Sequence, residues 1–379
     1  MSATPKVSVC MPAYNAGKYI GKALRSVLQQ TFREFELIVI DDGSTDDTAS
    51  VLQRYQQSDQ RIRAYRNDRK RGLVFTRNRC LTLCAAPLVA VADADDISLP
   101  TRLEKQVAFL ESYGDVGVLG ADVVFVDEAE MPIETPTTFH VEDRHIRFYL
   151  MFGPAMHNCA SVYRRSLLRD VSGYSDGFDA GAEDYSLWGK LMPQTRYANL
   201  AEPLVLYRRH AGNTTANRPP IHANIMSVSA ALLTDYLGEA VDRRGAEQLH
   251  CFRMKMGMER QACAAAFGIV RKVWRTAKRR EAPDTLGLFG REIADAAWTQ
   301  AQYTLHSDRA LSRAMASFAV RRDASTAGSG AVLSYLCRGL LPDALRRRLK
   351  ETRTPATAGQ PPEGQSDVEV EPRPDAPRW

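Results

Sequence analysis

The sequence predicts an α/β fold: a doubly wound, mostly parallel sheet flanked by helices, followed by an all-α C-terminal region and a disordered tail. Three observations predict it. Apolar runs of strand length at 7–11, 35–40 and 88–92, with a short strand at 62–65, alternate with stretches of helical spacing. Two of these runs empty directly into acids, Asp41 with Asp42, and Asp93 with Asp95 and Asp96, at the carboxyl ends where open α/β sheets bind ligands. Residues 220–350 show helical periodicity and few strand signals, and the Pro-, Gly- and acid-rich stretch from 351 cannot bury a core.

Each element has its own signal. The run at 7–11 is a strand, and Pro12 to Gly17 after it is a loop. Ile20, Ala23, Leu24, Val27 and Leu28 share one face of a helix over 18–30. The second strand, 35–40, leads to a helix starting near Asp47, with Ser44 or Thr45 as its cap. A short strand at 62–65 precedes a helix over 72–84. The strand at 88–92 follows, then a helix over 100–112 opened by Pro100. From Val116 two glycine-broken apolar runs suit extra strands on the far side of the sheet, and residues 158–165 read as a further strand leading to a helix. A glycine- and acid-rich loop at 173–184 opens a helix carrying Leu187, Trp188 and Leu191 on one face.

Composition bounds the function. The chain has 379 residues, 44% of them hydrophobic, and a net charge of +5. Residues 220–350 hold 21 Lys and Arg against 12 Asp and Glu, so the basic excess belongs to that segment. No nucleic-acid motif accompanies it. No run approaches the 18 apolar residues of a membrane span, and nothing resembles a signal peptide. The seven cysteines are scattered without a Cys-x-x-Cys, and Cys80 and Cys84 read as small buried hydrophobes on a helix, which points to a reducing cytosol.

Acids gathered at a strand end repel one another unless a cation or a proton holds them together. Oxygen-rich sites of this kind suit Mg2+ or Mn2+, usually shared with the phosphates of a substrate. The competing reading for Asp96 and Asp184 is structural: acids near the positive end of a helix. Arg77 is placed to reach a diphosphate or to lie on a helix surface.

Taken together, residues 7–15, Gln29 to Phe32, the stretch from Phe35 through Asp41, Asp42 and Gly43 to Asp46, Arg77 with Asn78, Asp93 with Asp95 and Asp96, Glu183 with Asp184, and Tyr207 to His210 resemble the family 2 glycosyltransferases. The resemblance spans about residues 6–212. It implies a GT-A type, Rossmann-like fold, with a catalytic domain over 1–219 whose nucleotide-binding half is about 1–115 and whose acceptor half is about 116–219. It implies an inverting, metal-dependent transfer of a single sugar from a nucleotide-diphosphate sugar, UDP-sugar by default, to a glycan or polyprenyl-linked acceptor in surface polysaccharide biosynthesis. Pro12, Tyr14, Asn15, Asp41, Asp42, Arg77 and Asp93 are implied at the nucleotide. Asp93 and Asp95 are implied as the DXD pair that, with His210, holds Mn2+ or Mg2+, and Asp184 as the catalytic base. Glu183, Trp188 and His157 are implied as acceptor or supporting residues. Two departures stand out: Cys80 where a small residue is usual, and Ala182 where glycine or an aromatic is commoner.

The basic helical stretches at 264–280 and 338–350 leave two readings open. Either they lie on an anionic inner-membrane surface, making a cytoplasmic protein peripheral to the membrane, or they pack on the catalytic domain with their charges in water. Two other functions remain. A sugar nucleotidyltransferase opens with a glycine-rich basic loop, which Pro12 to Asn15 is not, and a degenerate scaffold subunit would have no need of the acids present.

Overall fold

The computed structural model describes residues 4–134, 139–213, 218–305 and 307–322. The first half alternates as the apolar runs require: β1 (Val7–Ala13), α1 (Gly17–Leu28), β2 (Phe35–Asp41), α2 (Thr48–Ser58), β3 (Ile62–Arg66), α3 (Leu73–Leu83) and β4 (Leu88–Val91). Every residue of β1, β2 and β4 is buried, the mark of strands covered on both faces. Adjacent residues serve opposite layers. Val9 and Leu37 pack with Ile20, Leu24 and Val107, whereas Cys10 and Ile38 pack with Val74, Tyr163 and Trp188. Cys80 and Cys84 are buried in that second layer beside Cys10, as small hydrophobes.

The second half departs further from the sequence reading. It runs β5 (Ile97–Ser98), α4 (Arg102–Ser112), β6 (Val116–Val126), α5 (Asp143–Leu150), β7 (Val162–Arg164), α6 (Arg165–Asp170), α7 (Glu183–Leu191) and β8 (Arg196–Arg208). The sheet order is β3-β2-β1-β4-β7-β6-β8-β5. From β3 to β4 all pairings are parallel; β7 is antiparallel to both neighbours, β6 and β8 are parallel, and β5 is antiparallel to β8. The sheet is therefore mixed: its first half is wholly parallel, and its second half combines antiparallel pairs with the parallel pair of β6 and β8. The two runs after Val116 form one strand whose ladder with β8 shifts register around Asp122, opposite Pro203. A proline has no N–H to give a ladder, so its strand accommodates it at an irregularity. That proline and the polar residues around it hide β8 from a reading of apolar runs.

Helices then follow without further strands among the described residues: α8 (Arg218–Leu237), α9 (Arg243–Arg253), α10 (Arg260–Arg280), α11 (Pro283–Thr304) and α12 (Arg309–Arg322). The apolar face of α10 is covered. Cys263, Ala266, Phe267, Val270, Val273 and Ala277 are buried. Phe267 meets Phe318 at 5.4 Å, and Trp274 meets Phe289 and Phe318 at 6.2 Å each. Of the two readings left open, packing accounts for that face, but the partners of α10 are its sister helices rather than the sheet. Stacking of Phe152 on Phe289 and of Arg253 over Phe152 joins these helices to the segment after α5. No helix of the described residues is long and apolar enough to cross a membrane. The basic stretch at 338–350 and the tail from 351 lie outside the described residues.

Candidate active site

The carboxyl ends of β1, β2 and β4 open into a cavity of about 1270 Å3. Its wall contains Pro12, Tyr14, Asn15, Asp42, Arg77, Asp93, Asp95, His157, Glu183, Asp184 and His210. Asp41 and Trp188 stand behind that wall.

The loops after β1 and β2 are stitched together. Asn15 adopts a left-handed conformation that asparagine tolerates; its N–H donates to Ser44 Oγ, and its Oδ1 accepts from the Thr45 N–H. Asp41 turns inward: its Oδ1 accepts the Ser44 N–H, and Arg66 lies 3.3 Å from its other oxygen. Its part is to hold the loop that presents Asp42. Gly43 has φ +73°, and a Cβ there would come within 2.6 Å of the Arg69 backbone, so only glycine fits. Asp42 lines the cavity while accepting from the Asn67 side chain and the N–H groups of Arg71 and Gly72, which fixes its carboxylate.

Arg77 is buried on α3 and, at the edge of the cavity, turns its guanidinium to two acids. It bonds Glu183 through Nη1 and Asp93 through Nη2, the latter at 3.1 Å. The glycine-rich acidic loop is fastened to α3 on both sides of it. Asn78 exchanges hydrogen bonds with the backbone of Tyr174, and Asp179 accepts the Val74 N–H. From the other direction, Asn224 of α8 donates to the Gly181 carbonyl. Ala182 then takes φ +72°, a conformation costly for a residue with a Cβ, immediately before Glu183 and Asp184.

This clamping brings acids together out of water. Asp184 is pushed up to about 7, first by burial and then by the charge of Glu183, against the pull of Arg77. Asp95 is raised by burial and by Asp93. His210 Nε2 lies 2.9 Å from Asp95 Oδ2, and Asn213 Nδ2 donates to the same oxygen. Asp96 does not cap a helix. It lies buried beneath the site and accepts the Arg208 N–H of β8. Arg208, itself buried, donates to the Asp95 carbonyl and to those of Asp127 and Glu128. The strand that delivers His210 is thereby locked to the loop that carries Asp95.

The first 165-residue span of this architecture matches a sequence family. The model of glycosyl transferase family 2 matches residues 8–172. A glycosyltransferase of Haemophilus influenzae is 32% identical over 223 residues, covering 57% of this chain and 69% of that one. The chain belongs to glycosyltransferase family 2. The Escherichia coli O-antigen biosynthesis glycosyltransferase WbnJ is 31% identical over 213 residues, covering 55% of this chain and 81% of its own. Among solved structures, residues 1–349 of Staphylococcus aureus TarS in complex with UDP-GlcNAc align with TM-score 0.51 and 19% identity, over 85% of this chain and 89% of that one. At that identity the likeness establishes the fold, a GT-A type sheet with a helical C-terminal region.

Within this family 2 enzyme the sequence reading missed several cavity residues. The Tyr19 ring meets His210 at 4.6 Å in a tilted contact, Asn213 reaches Asp95, and Ile221 and Ile225 reach the cavity from α8. Their only sequence signal is proximity to residues already singled out. Asn158, next to His157, reads in the sequence as the start of a strand, but it sits in a three-residue 3-10 turn before β7.

Proposed function

We propose that this glycosyltransferase moves a single sugar, with inversion, from a nucleoside-diphosphate sugar to a glycan or polyprenyl-linked acceptor in surface polysaccharide synthesis. One observation carries the reading. Asp42, Asp93, Asp95 and Asp184 line one cavity, where Asp184 is held near neutrality while Asp42 is pinned by three donors. An uncharged nucleobase and ribose suit the Asp42 end, with Tyr14 as a flat, partly exposed ring beneath Lys70.

In the chemical step an oxygen of Asp184 takes the proton of the acceptor hydroxyl. The hydroxyl oxygen forms its bond to the anomeric carbon from the face opposite the diphosphate, and the bond from that carbon to the diphosphate oxygen breaks. A carboxylate with a value near 7 is matched to that proton transfer at neutral pH. Arg77 holds Glu183 and hence the start of α7, so the base cannot drift from the anomeric carbon.

The donor set of Asp93, Asp95 and His210 is oxygen-rich with one imidazole, which suits Mn2+ or Mg2+, and Asp95 is raised first by burial and then by the charge of Asp93. A cation bound there supplies positive charge for the departing diphosphate. Uridine is the nucleotide to try first. WfaP of Escherichia coli, described as a UDP-Glc:alpha-D-GlcNAc-diphosphoundecaprenol beta-1,3-glucosyltransferase, is 29% identical over 220 residues, 80% of its length, and supports both donor and acceptor class.

Calorimetric titration of UDP, TDP and GDP with and without Mn2+ tests the reading. UDP is expected to bind only with Mn2+, and Asp95→Asn to abolish that binding. Binding of none of the three in either condition would overturn it.

A further inference from the structure

One wall of the cavity is not used by the donor chemistry. It is formed by Phe125, His157, Asn158 and Tyr207. Phe125 meets His157 edge-on at 5.8 Å and Tyr207 at 5.4 Å, with the Arg209 guanidinium 4.2 Å from the Phe125 ring, so the three rings adjoin one another at this wall. Asn158 sits among them, only 7% exposed.

The orientation of its amide follows from a hydrogen-bond relay. Trp188 Nε1, which can only donate, lies 2.8 Å from Tyr163 Oη. Tyr163 therefore accepts there, and its own proton goes to Asn158, 3.1 Å away. The group that receives that proton has to be the amide oxygen. Asn158 Nδ2 is left as a buried N–H donor with no hydrogen-bond partner among the described residues. Buried donors are satisfied almost without exception, and leaving one unpaired is costly. Trp188 lies four residues after Asp184 on α7, so the relay starts one turn from the base and ends in this wall.

We propose that Asn158 and the Phe125–His157–Tyr207 wall form the acceptor subsite, which takes a pyranose. The Asn158 amide donates to an oxygen of the acceptor sugar, the apolar edge of the ring lies against the aromatic wall, and the attacking hydroxyl faces Asp184. Trp188 and Tyr163 are positioning residues that keep the amide turned the right way. The assignment rests on the sugar-transfer reading given above and adds the residue that selects the acceptor.

The test is UDP release by the full chain with Mn2+. UDP-glucose, UDP-galactose and UDP-GlcNAc serve as donors, first alone and then with octyl glycosides of glucose, galactose, mannose and N-acetylglucosamine. Asn158→Ala is expected to raise the KM of the best glycoside about tenfold, the worth of one buried hydrogen bond, while the donor KM changes by less than about twofold. Asn158→Asp keeps the shape and the oxygen that Tyr163 bonds but loses the N–H, so it is expected to lose acceptor affinity even if the alanine variant is poorly folded. An unchanged glycoside KM in both variants would overturn the subsite, and so would a rise in donor KM alone, or a wild type that hydrolyses donor but responds to no glycoside. A wild type that neither hydrolyses nor transfers UDP-sugars, and that binds neither TDP nor GDP in the titration above, would instead overturn the sugar-transfer reading.

Discussion

At the scale of single residues, the proposed chemistry depends on keeping Asp184 ready to accept a proton inside a crowd of acids. Burial and Glu183 move it from 3.8 to about 7, so the folded protein binds a proton there that the unfolded chain releases. The stability this gives is fully present below about pH 3.8 and is lost as pH rises through about 7. Asp184→Asn carries no charge at any pH. Its thermal midpoint is expected to match the wild type in acid, to exceed it increasingly between about pH 3.8 and about pH 7, and to keep a constant margin above that, read by thermal denaturation across a pH series. Catalysis has the opposite slope. Transfer by the wild type should rise through an apparent value near 7, and the asparagine variant should lose about 10²- to 10⁴-fold at the plateau, the usual worth of a general base. The chain carried a clear sign of these residues, because acids at strand ends are visible in a line of letters. Their division of labour was not visible. Asp41 and Asp42 are adjacent and alike, yet one turns inward to hold a loop and the other faces the cavity, a difference set by strand alternation and by which neighbours donate.

At the scale of elements, β1, β2 and β4 were legible because every residue of each is buried and each reads as a nearly continuous apolar run, while the short, half-buried β3 was legible from its place between two helices. β8 was not. It mixes buried and exposed positions around a proline, and its pairing partner lies far away in sequence. The basic helix α10 shows the converse limit: its amphipathic pattern announced an apolar face without saying what covers it. The structure places Phe252 and Phe318 against Phe267. Phe267→Ala is therefore expected to cost about 3 kcal/mol of stability in denaturant titration. Anionic vesicles should bind the wild type no better than a variant in which exposed Arg271 and Lys272 are replaced by glutamine. A vesicle affinity that depends on those two residues would return the membrane to the account of this helix.

At the scale of the whole molecule, the loop that carries Glu183 and Asp184 is held both by the sheet domain and by the helical region. Arg77 and Asn78 grip it from the nucleotide side, and Asn224 of α8 grips it from the helical region, whose Ile221 and Ile225 also reach the cavity. The helices after the sheet therefore complete the site, and that contribution could not be read from their sequence, where they show only periodicity and charge. The central claim is that one cavity binds a nucleotide sugar and that Asp184 in it drives inversion at the anomeric carbon. Nuclear magnetic resonance of the product glycoside, run with wild type and Asp184→Asn on the donor and glycoside that turn over fastest, tests it most directly. The account predicts a product of inverted anomeric configuration from the wild type, and from Asp184→Asn a protein that still binds the nucleotide but forms almost no product. Retained configuration, or transfer by Asp184→Asn at the wild-type rate, would contradict it.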